Sequence, residues 1–568
     1  MTKTQYFELA YILLPMKFIK SFFFLIIFHT LIIPTYAQAP DFIWVNWAGG
    51  SEDDNGHLIS TDQSGNNYTI GVFFNNITFG SSTLTTTNFS AYFFVKHNSA
   101  GNVIWAKKID DSNIWHIEEL ATDATGNSYI VGTFFNTVTI ENHTITSNGA
   151  RDFFIIKINP AGDILWAKSG GGASDDDEAH NIMVDANNNL LVTGIFTQPI
   201  QIGATSLPSN YPVNTFLAKF NSDGNLIWVE TAGGNSISGK VSLNIENNGN
   251  YLVAASYSGT CYYDAISFSP NLGGSIIVSA KYNATGSFIW AKKVITSNTN
   301  NSNFSLVGID TDDYGNIYFA GGFNDSINFS SSANFFVPFN QRPKIFILKL
   351  NETGNFIWAK MTGGENNFAS GGLRDLIVNT NGNIYLLGCL NGSISFDTLQ
   401  NSSQTSQIFI AKYDSYGDIN WVKYSQGNGI HIAWAITMDP SENIYITGCF
   451  KENITLDNIP ISGGNNYDMY LAKLSNNPLS LPSSPTTTLS TYPNPFSTSF
   501  QISLTRTGPA TATLTDMLGR QVHRQAISVE SGRESATVTP PANLPFGMYV
   551  LQVKEEGEKL RQVRVVKQ

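Results

Sequence analysis

Cysteine is nearly absent from this chain of 568 residues, which has three: Cys261, Cys389 and Cys449. One disulfide at most can close within a monomer, so a disulfide-stapled scaffold is excluded. Charge is scarce too, at 13% of residues. Runs of Ala, Glu, Lys and Leu suited to long helices are missing. Basic residues are outnumbered 32 to 44, for a net charge of −12, which argues against a nucleic-acid binder. What is abundant is Asn, Ser, Thr, Gly and aromatic residues, with 42% hydrophobic content. That is too apolar for a disordered chain and is the composition of strands and turns, so the fold class is all-β.

The charge is uneven. Residues 479–568 hold nine basic and six acidic groups, and residues 1–478 hold 23 and 38. An acidic first part and a mildly basic last part place a boundary near 478. Residues 479–490 are a Pro/Ser/Thr linker.

A signal peptide is expected over residues 1–37, with Met16 read as a candidate for the natural start. Lys17 and Lys20 precede an apolar stretch from Ser21 to Pro34, and small residues follow in "TYAQA". That stretch is short for a membrane span, and a cleavage-like site follows it, so no stable transmembrane anchor is expected.

The dominant pattern in residues 38–478 is a repeat. Seven tryptophans recur in similar strands: Trp44, Trp105, Trp166, Trp228, Trp290, Trp358 and Trp421. Each unit holds two tight-turn signatures. One is Asp-x-x-Gly-Asn, as in "DATGNSYIVGTF" from Asp123. The other precedes the tryptophan, as in "KLNETGNFIW" from Lys349. Glycine permits positive φ, and Asp or Asn bonds its own backbone two residues on. Each unit therefore reads as two hairpins, or four antiparallel strands. Seven such units make a seven-bladed β-propeller. A solenoid is the alternative. The strand at 42–47 has no hairpin partner, and the last unit lacks a tryptophan strand, so the first strand is expected to complete the last blade. The tryptophans are read as core residues that stack blades, and the lysine before each second turn (Lys96, Lys157, Lys219, Lys281, Lys349, Lys412, Lys473) as structural. Cys389 and Cys449 are read as small buried residues.

These units resemble the bacterial SBBP-type seven-bladed propeller repeat over roughly residues 41–478. Repeat four departs by Glu246 and Ala255, and repeat three by Asn188 in place of the turn glycine. The resemblance implies a fold and no common reaction.

In this strand order the tight turns share one face and the longer connections the other. The long connections are rich in Gly, Asn, Asp and His, and they surround the channel mouth, where a ligand is expected. The candidate binding residues are Asp53, Asp54, His57, Asp175, Asp176, Asp177 and His180. Calcium held by Asp175, Asp177 and Glu178 is one reading of this cluster, and a solvated acidic loop is the other. No other cofactor is expected. Sialidase boxes, a Gly-x-Ser-x-Gly elbow and His-Glu-x-x-His are missing. A pair of glycosidase carboxylates is left open by the sequence.

Residues 491–568 do not repeat and read as a small C-terminal β-sandwich. They resemble the type IX secretion C-terminal sorting domain of Bacteroidetes. The matching residues are Tyr492, Pro493, Asn494, Pro495 and Phe496, then Gly519 within "DMLGR", Gly547 and Tyr549 within "GMYV", and the basic final strand to Lys567. The resemblance implies contact with the type IX machinery and delivery through the periplasm and outer membrane, to the surface or the medium. The expected function is a secreted binding or scaffold module for polysaccharide or an extracellular protein. A polymer-degrading enzyme and an adhesin are the alternatives.

Overall fold

The tight turns foreseen in the sequence are closed by the side chain of their first residue, an aspartate in most first turns and an asparagine in most second ones. In the computed structural model, Asp62 Oδ1 accepts the N–H of Ser64 and of Asn66, both at 2.9 Å. Tyr68 Oη donates to Asp62 Oδ2 at 3.2 Å. Asp123, Asp312 and Asp439 repeat this with Tyr129, Tyr318 and Tyr445. At two departures noted in the sequence the turn is kept by other means. Asn188 takes φ 60° where glycine would stand, and Glu246 pairs with Lys281 Nζ at 2.6 Å.

The structure describes residues 39–567 except 110–111, 174–175, 271–273, 298–303, 325, 331–332, 338–343, 363–371, 397–398, 477–490, 493–495, 504–507, 516–520, 530–534, 546 and 556–560. The signal-peptide segment thus lies outside the described residues. No helix occurs among the described residues, and none is long and apolar enough to cross a membrane. The chain divides into two compact units, 1–478 and 479–568.

The first unit is a closed ring of seven four-stranded blades. In chain order the innermost strands are Asp54–Thr61, Ile114–Thr122, Glu178–Val184, Ile237–Ile245, Phe304–Thr311, Leu373–Val378 and Ile430–Met438. Each packs against the innermost strand of the next blade, and the last packs against the first. Strand Phe42–Ala48 pairs antiparallel with Asp468–Leu474 and completes blade 7, as the unpaired first strand requires. The core lies between blades. Tyr129, Phe153 and Ile155 of blade 2 pack with Ile182, Val192 and Phe216 of blade 3. Cys261, Cys389 and Cys449 are free and buried.

The repeated lysine and tryptophan act together. Lys96 Nζ and Trp105 Nε1 both donate to Pro160 O in the next blade's turn, at 3.3 and 3.0 Å. Lys349 and Trp358 share Ser415 O in the same way. Lys473 and Trp44 share Ser99 O and so fasten the ring's seam. The tryptophans do stack blades, but all except Trp421 are only half-buried. Their rings lie on the turn glycines of the following blade, as Trp105 does on Gly162.

One element was not foreseen. A third, short hairpin follows the second strand of most blades, for example Asn76–Phe79 with Ser82–Thr85. In blade 3, Ile200–Ile202 pairs across to Gly170–Gly172 of blade 2 and covers that blade's outer edge. Three- and four-residue strands carry too little periodicity to stand out in sequence.

The second unit has a three-stranded sheet (Thr491–Tyr492, Phe500–Ser503, Ser535–Val538) and a four-stranded one (Gln521–Val529, Gly508–Thr515, Gly547–Glu555, Arg561–Lys567). Both contribute to one core that includes Phe496, Phe500, Leu514, Val538, Leu551 and Val565. Tyr492 pairs with Gln501. Phe496 is buried and bridges Lys567, whose Nζ lies over the Phe496 ring and donates to Ser497 O. Gly547 pairs with Lys567, and Tyr549 Oη donates to Pro545 O at 2.7 Å. Pro493, Asn494, Pro495 and Gly519 lie outside the described residues.

Candidate functional site

Each innermost strand begins on the long-connection face and ends at an Asp-type turn on the opposite face. Partway along, every one of them breaks register with its neighbour. The residue skipped is His57, Glu118, His180, Val307, Arg374 or Trp434. In blade 4 the irregularity is longer and contains Lys240. A β-bulge re-aims one side chain, and here it does so once per blade around the channel. The fold thus builds a ring of seven positions whose occupants differ.

These side chains meet across the ring. Lys240 Nζ lies 3.0 Å from Glu118 Oε2, although blades 4 and 2 are not neighbours. His57 meets the Trp434 ring edge-on at 5.0 Å, and the Arg374 guanidinium stacks on the same ring at 4.4 Å. His180 Nδ1 accepts the N–H of Val241 at 3.1 Å, and its Nε2 lies 3.1 Å from Glu178.

The channel's electrostatics follow from burial. Burial pushes His57 down to about 4, helped by His116 and Lys240, so it is neutral at pH 7. Burial lowers the Lys240 pKa, but Glu118 and Glu119 outweigh it and lift it above the usual lysine range. Asp375 is pushed up to about 7, first by burial and then by Glu119 and Asp310. A carboxyl poised at that value invites an acid–base role. Its oxygens, however, accept the backbone N–H groups of Leu376 and Ile436 at 2.8 and 2.9 Å. That assigns Asp375 to joining blades 6 and 7.

At the rim of the long-connection face, strand Ile114–Thr122 has a second bulge, at Trp115. Trp115 is 57% exposed. The Arg151 guanidinium lies 4.8 Å from its ring and is itself fixed by Asp176, with Nε to Oδ1 at 2.6 Å. That hydrogen bond, against a smaller effect of burial, holds the Asp176 carboxyl below the usual range. The result is an exposed indole held by an ion pair.

The structure brings some of the sequence candidates together and separates others. His57 and His180 belong to the ring of bulges, and Asp176 to the Trp115 support. Asp53 sits on the rim, accepting the N–H of Tyr467 at 2.9 Å. Asp54 and Asp177 are buried at the strand starts, so neither presents a carboxylate to solvent. Burial first, and Asp468 second, push Asp54 up to about 8. Asp177 Oδ2 accepts the N–H of Gly172 at 2.7 Å. Asp175 lies outside the described residues. Among the described residues no group of three His, Cys, Asp or Glu side chains is placed to hold a metal ion.

Glu118, Lys240, Arg374 and Trp434 were missed, as was Trp115. A signal for the ring was present. In six blades the bulged residue stands five positions before the first turn residue, as His57 does before Asp62 and Trp434 before Asp439. That position varies from blade to blade while the residue two places after it is always Ile or Leu.

Comparisons with known proteins bear on the two units differently. Residues 490–567 match the family described as the secretion system C-terminal sorting domain. The chain is 23% identical over 546 residues to the uncharacterized WD repeat-containing protein L264 of Acanthamoeba polyphaga mimivirus, covering 76% of this chain and 38% of that one. The chain therefore spans well under half the length of that relative. Among solved structures it is similar to the β-propeller domain of the Trilobed protease from Pyrococcus furiosus, at 11% identity and a TM-score of 0.37, covering 74% of this chain and 96% of the other. It is also similar to a Dyadobacter fermentans protein of unknown function, at 9% identity and a TM-score of 0.32, covering 68% and 98%. The carboxyl-terminal match is to the tail of type IX export, and it marks this propeller for the cell surface or for secretion.

Proposed function

We propose that the propeller is an extracellular binding module for polysaccharide, and that the long-connection face is its binding surface. The observation that carries this reading is Trp115, a bulged and exposed indole whose orientation is set by Arg151 and Asp176. A rigid exposed aromatic ring presents an apolar face to the C–H groups of a sugar, and the polar groups beside it suit hydroxyls. The engagement of Asp375 by two backbone N–H groups favours binding over hydrolysis. Calcium does not enter this reading, because Asp177 and Glu178 already hold Gly172 N–H and His180. Export through residues 491–568 by the type IX machinery and a removable leader at 1–37 complete the proposal, as do SBBP-type repeats and a Bacteroidetes source.

The test is affinity electrophoresis of the full chain in gels containing hydroxyethylcellulose, arabinoxylan, galactomannan, arabinan or polygalacturonate. Retardation by at least one neutral polymer is expected, and Trp115→Ala should weaken it by about 10-fold, the effect of losing one well-placed aromatic contact. Retardation that Trp115→Ala leaves unchanged overturns the role of this residue. No retardation by any polymer overturns the reading in favour of a protein partner.

A further inference from the structure

On the same face, blade 1 holds a recess of about 500 Å³. Its wall comes from three separate connections, at 52–53, 74–75 and 86–89. Phe89 is 89% exposed and meets Phe74 edge-to-face at 5.3 Å. Around this pair stand the carboxylates of Glu52 and Asp53 and the amides of Asn75 and Asn88. Asp53 is oriented by the N–H of Tyr467, and the Asn75 amide by Ser51 Oγ at 2.8 Å. A phenylalanine this exposed buries little for the fold, and the aromatic pair beside fixed acceptors and donors has the composition of a ligand site.

We infer that this recess is a second glycan subsite and that it selects neutral sugar chains over anionic ones. The inference rests on the reading of this face as a polysaccharide surface. The charge argument is specific to the recess. Its lining carries two carboxylates and no cation. A uronate or sulfate placed against them meets repulsion, whereas sugar hydroxyls donate to them. At Trp115 the nearest cation, Arg151, is already engaged by Asp176, so that position adds no anion preference. Two aromatic subsites on adjacent blades suit an extended polymer, because the second contact forms at high effective concentration.

The experiment compares Phe89→Ala, Trp115→Ala and the double variant Glu52→Gln/Asp53→Asn in the full chain, titrated with the neutral polymer that retards the wild type most and with polygalacturonate. Phe89→Ala should weaken binding of the neutral polymer by about five-fold. The double variant keeps the Asp53 acceptor for Tyr467. It should raise polygalacturonate binding by about 10-fold relative to that of the neutral polymer. Wild-type binding by Phe89→Ala, with Trp115→Ala impaired, overturns the recess and leaves the wider reading standing. A double variant that still rejects polygalacturonate overturns the charge argument. No binding of any neutral polymer by the wild type overturns both readings together.

Discussion

The two faces of the ring are made by the same seven units, yet only one face repeats. On the tight-turn face the blades share one device, an acid or amide closing a turn, and among the described residues six lysines hold the next blade's turn, joined in four blades by the tryptophan. On the other face the equivalent positions differ: a histidine, a glutamate, an arginine or a tryptophan at the bulge, and a lone exposed Trp115 or Phe89 at the rim. A position needed by every blade is under the same constraint seven times. A position free to differ is constrained by something outside the blade. The comparison therefore separates residues that make the ring from residues that use it.

The severest way to break the ring-making half is to remove strand Phe42–Ala48. Blade 7 would then lose its outer strand, the paired edge of Asp468–Leu474 and the seam contact of Trp44 to Ser99. Loss of a cooperative thermal transition by circular dichroism is expected, with rapid proteolysis. A cooperative melt within a few degrees of the full chain would show that seven closed blades are not required.

A finer test uses two turn glycines, one packed against a tryptophan and one open to solvent. Gly162 lies in a turn with φ 88°, and a methyl there would stand 3.2 Å from the Trp105 ring and 3.1 Å from Lys107. Gly203 has φ 59° with no atom within 4 Å of its place. Gly203→Ala should cost about 1 kcal/mol, the strain of a left-handed residue alone. Gly162→Ala should cost about 2 kcal/mol, because the blade contact is disturbed as well. Chemical denaturation measures both, and equal costs would remove the tryptophan–glycine contact from the account.

What was legible in the sequence follows the same division. The turn of Asp123 could be read because it recurs, and so could the partnerless strand that closes blade 7. The buried state of Asp54 could not be read. "SEDDNGH" looks like a polar loop, yet strand pairing turns Asp54 inward against Asp468 while Asp53 stays on the rim. His57 and His180 were named for the acidic clusters near them, whereas their place in the channel comes from the bulge. A bulge is a property of two paired strands, so it shows only when the units are aligned at the turn.

The buried Asp54 gives a pH signature confined to the seam of blades 7 and 1. Its folded pKa, about 8, lies above the ordinary carboxylate value because of burial first and Asp468 second, with Asp53 adding a little. The folded state therefore binds the proton more tightly than the unfolded chain. The contribution is fully present below about pH 4 and is lost as pH rises through about 8. Asn keeps the volume and removes the charge. Asp54→Asn should raise the melting temperature at pH 8 and flatten its decline between pH 5 and 8. An unchanged melting profile would mean that Asp54 is not the titrating group at the seam.

The smallest expected effect is the most telling, because it sets two tryptophans ten residues apart against each other. Trp105 is half-buried on the outer strand of blade 1, and its Nε1 holds Pro160 O. Trp115 is 57% exposed at the start of blade 2 and holds no blade contact of that kind. Truncating Trp105 removes apolar burial and a hydrogen bond between blades, and should cost about 2–3 kcal/mol. Truncating Trp115 loses only its stacking with Arg151, whose bond to Asp176 remains, so the cost should stay within about 0.5 kcal/mol. If Trp115→Ala proves as destabilising as Trp105→Ala, then Trp115 belongs to the ring-making class, and its exposure no longer argues for a ligand. If it is silent in stability and lost in polymer binding, the non-repeating face is held in its particular form by what it binds.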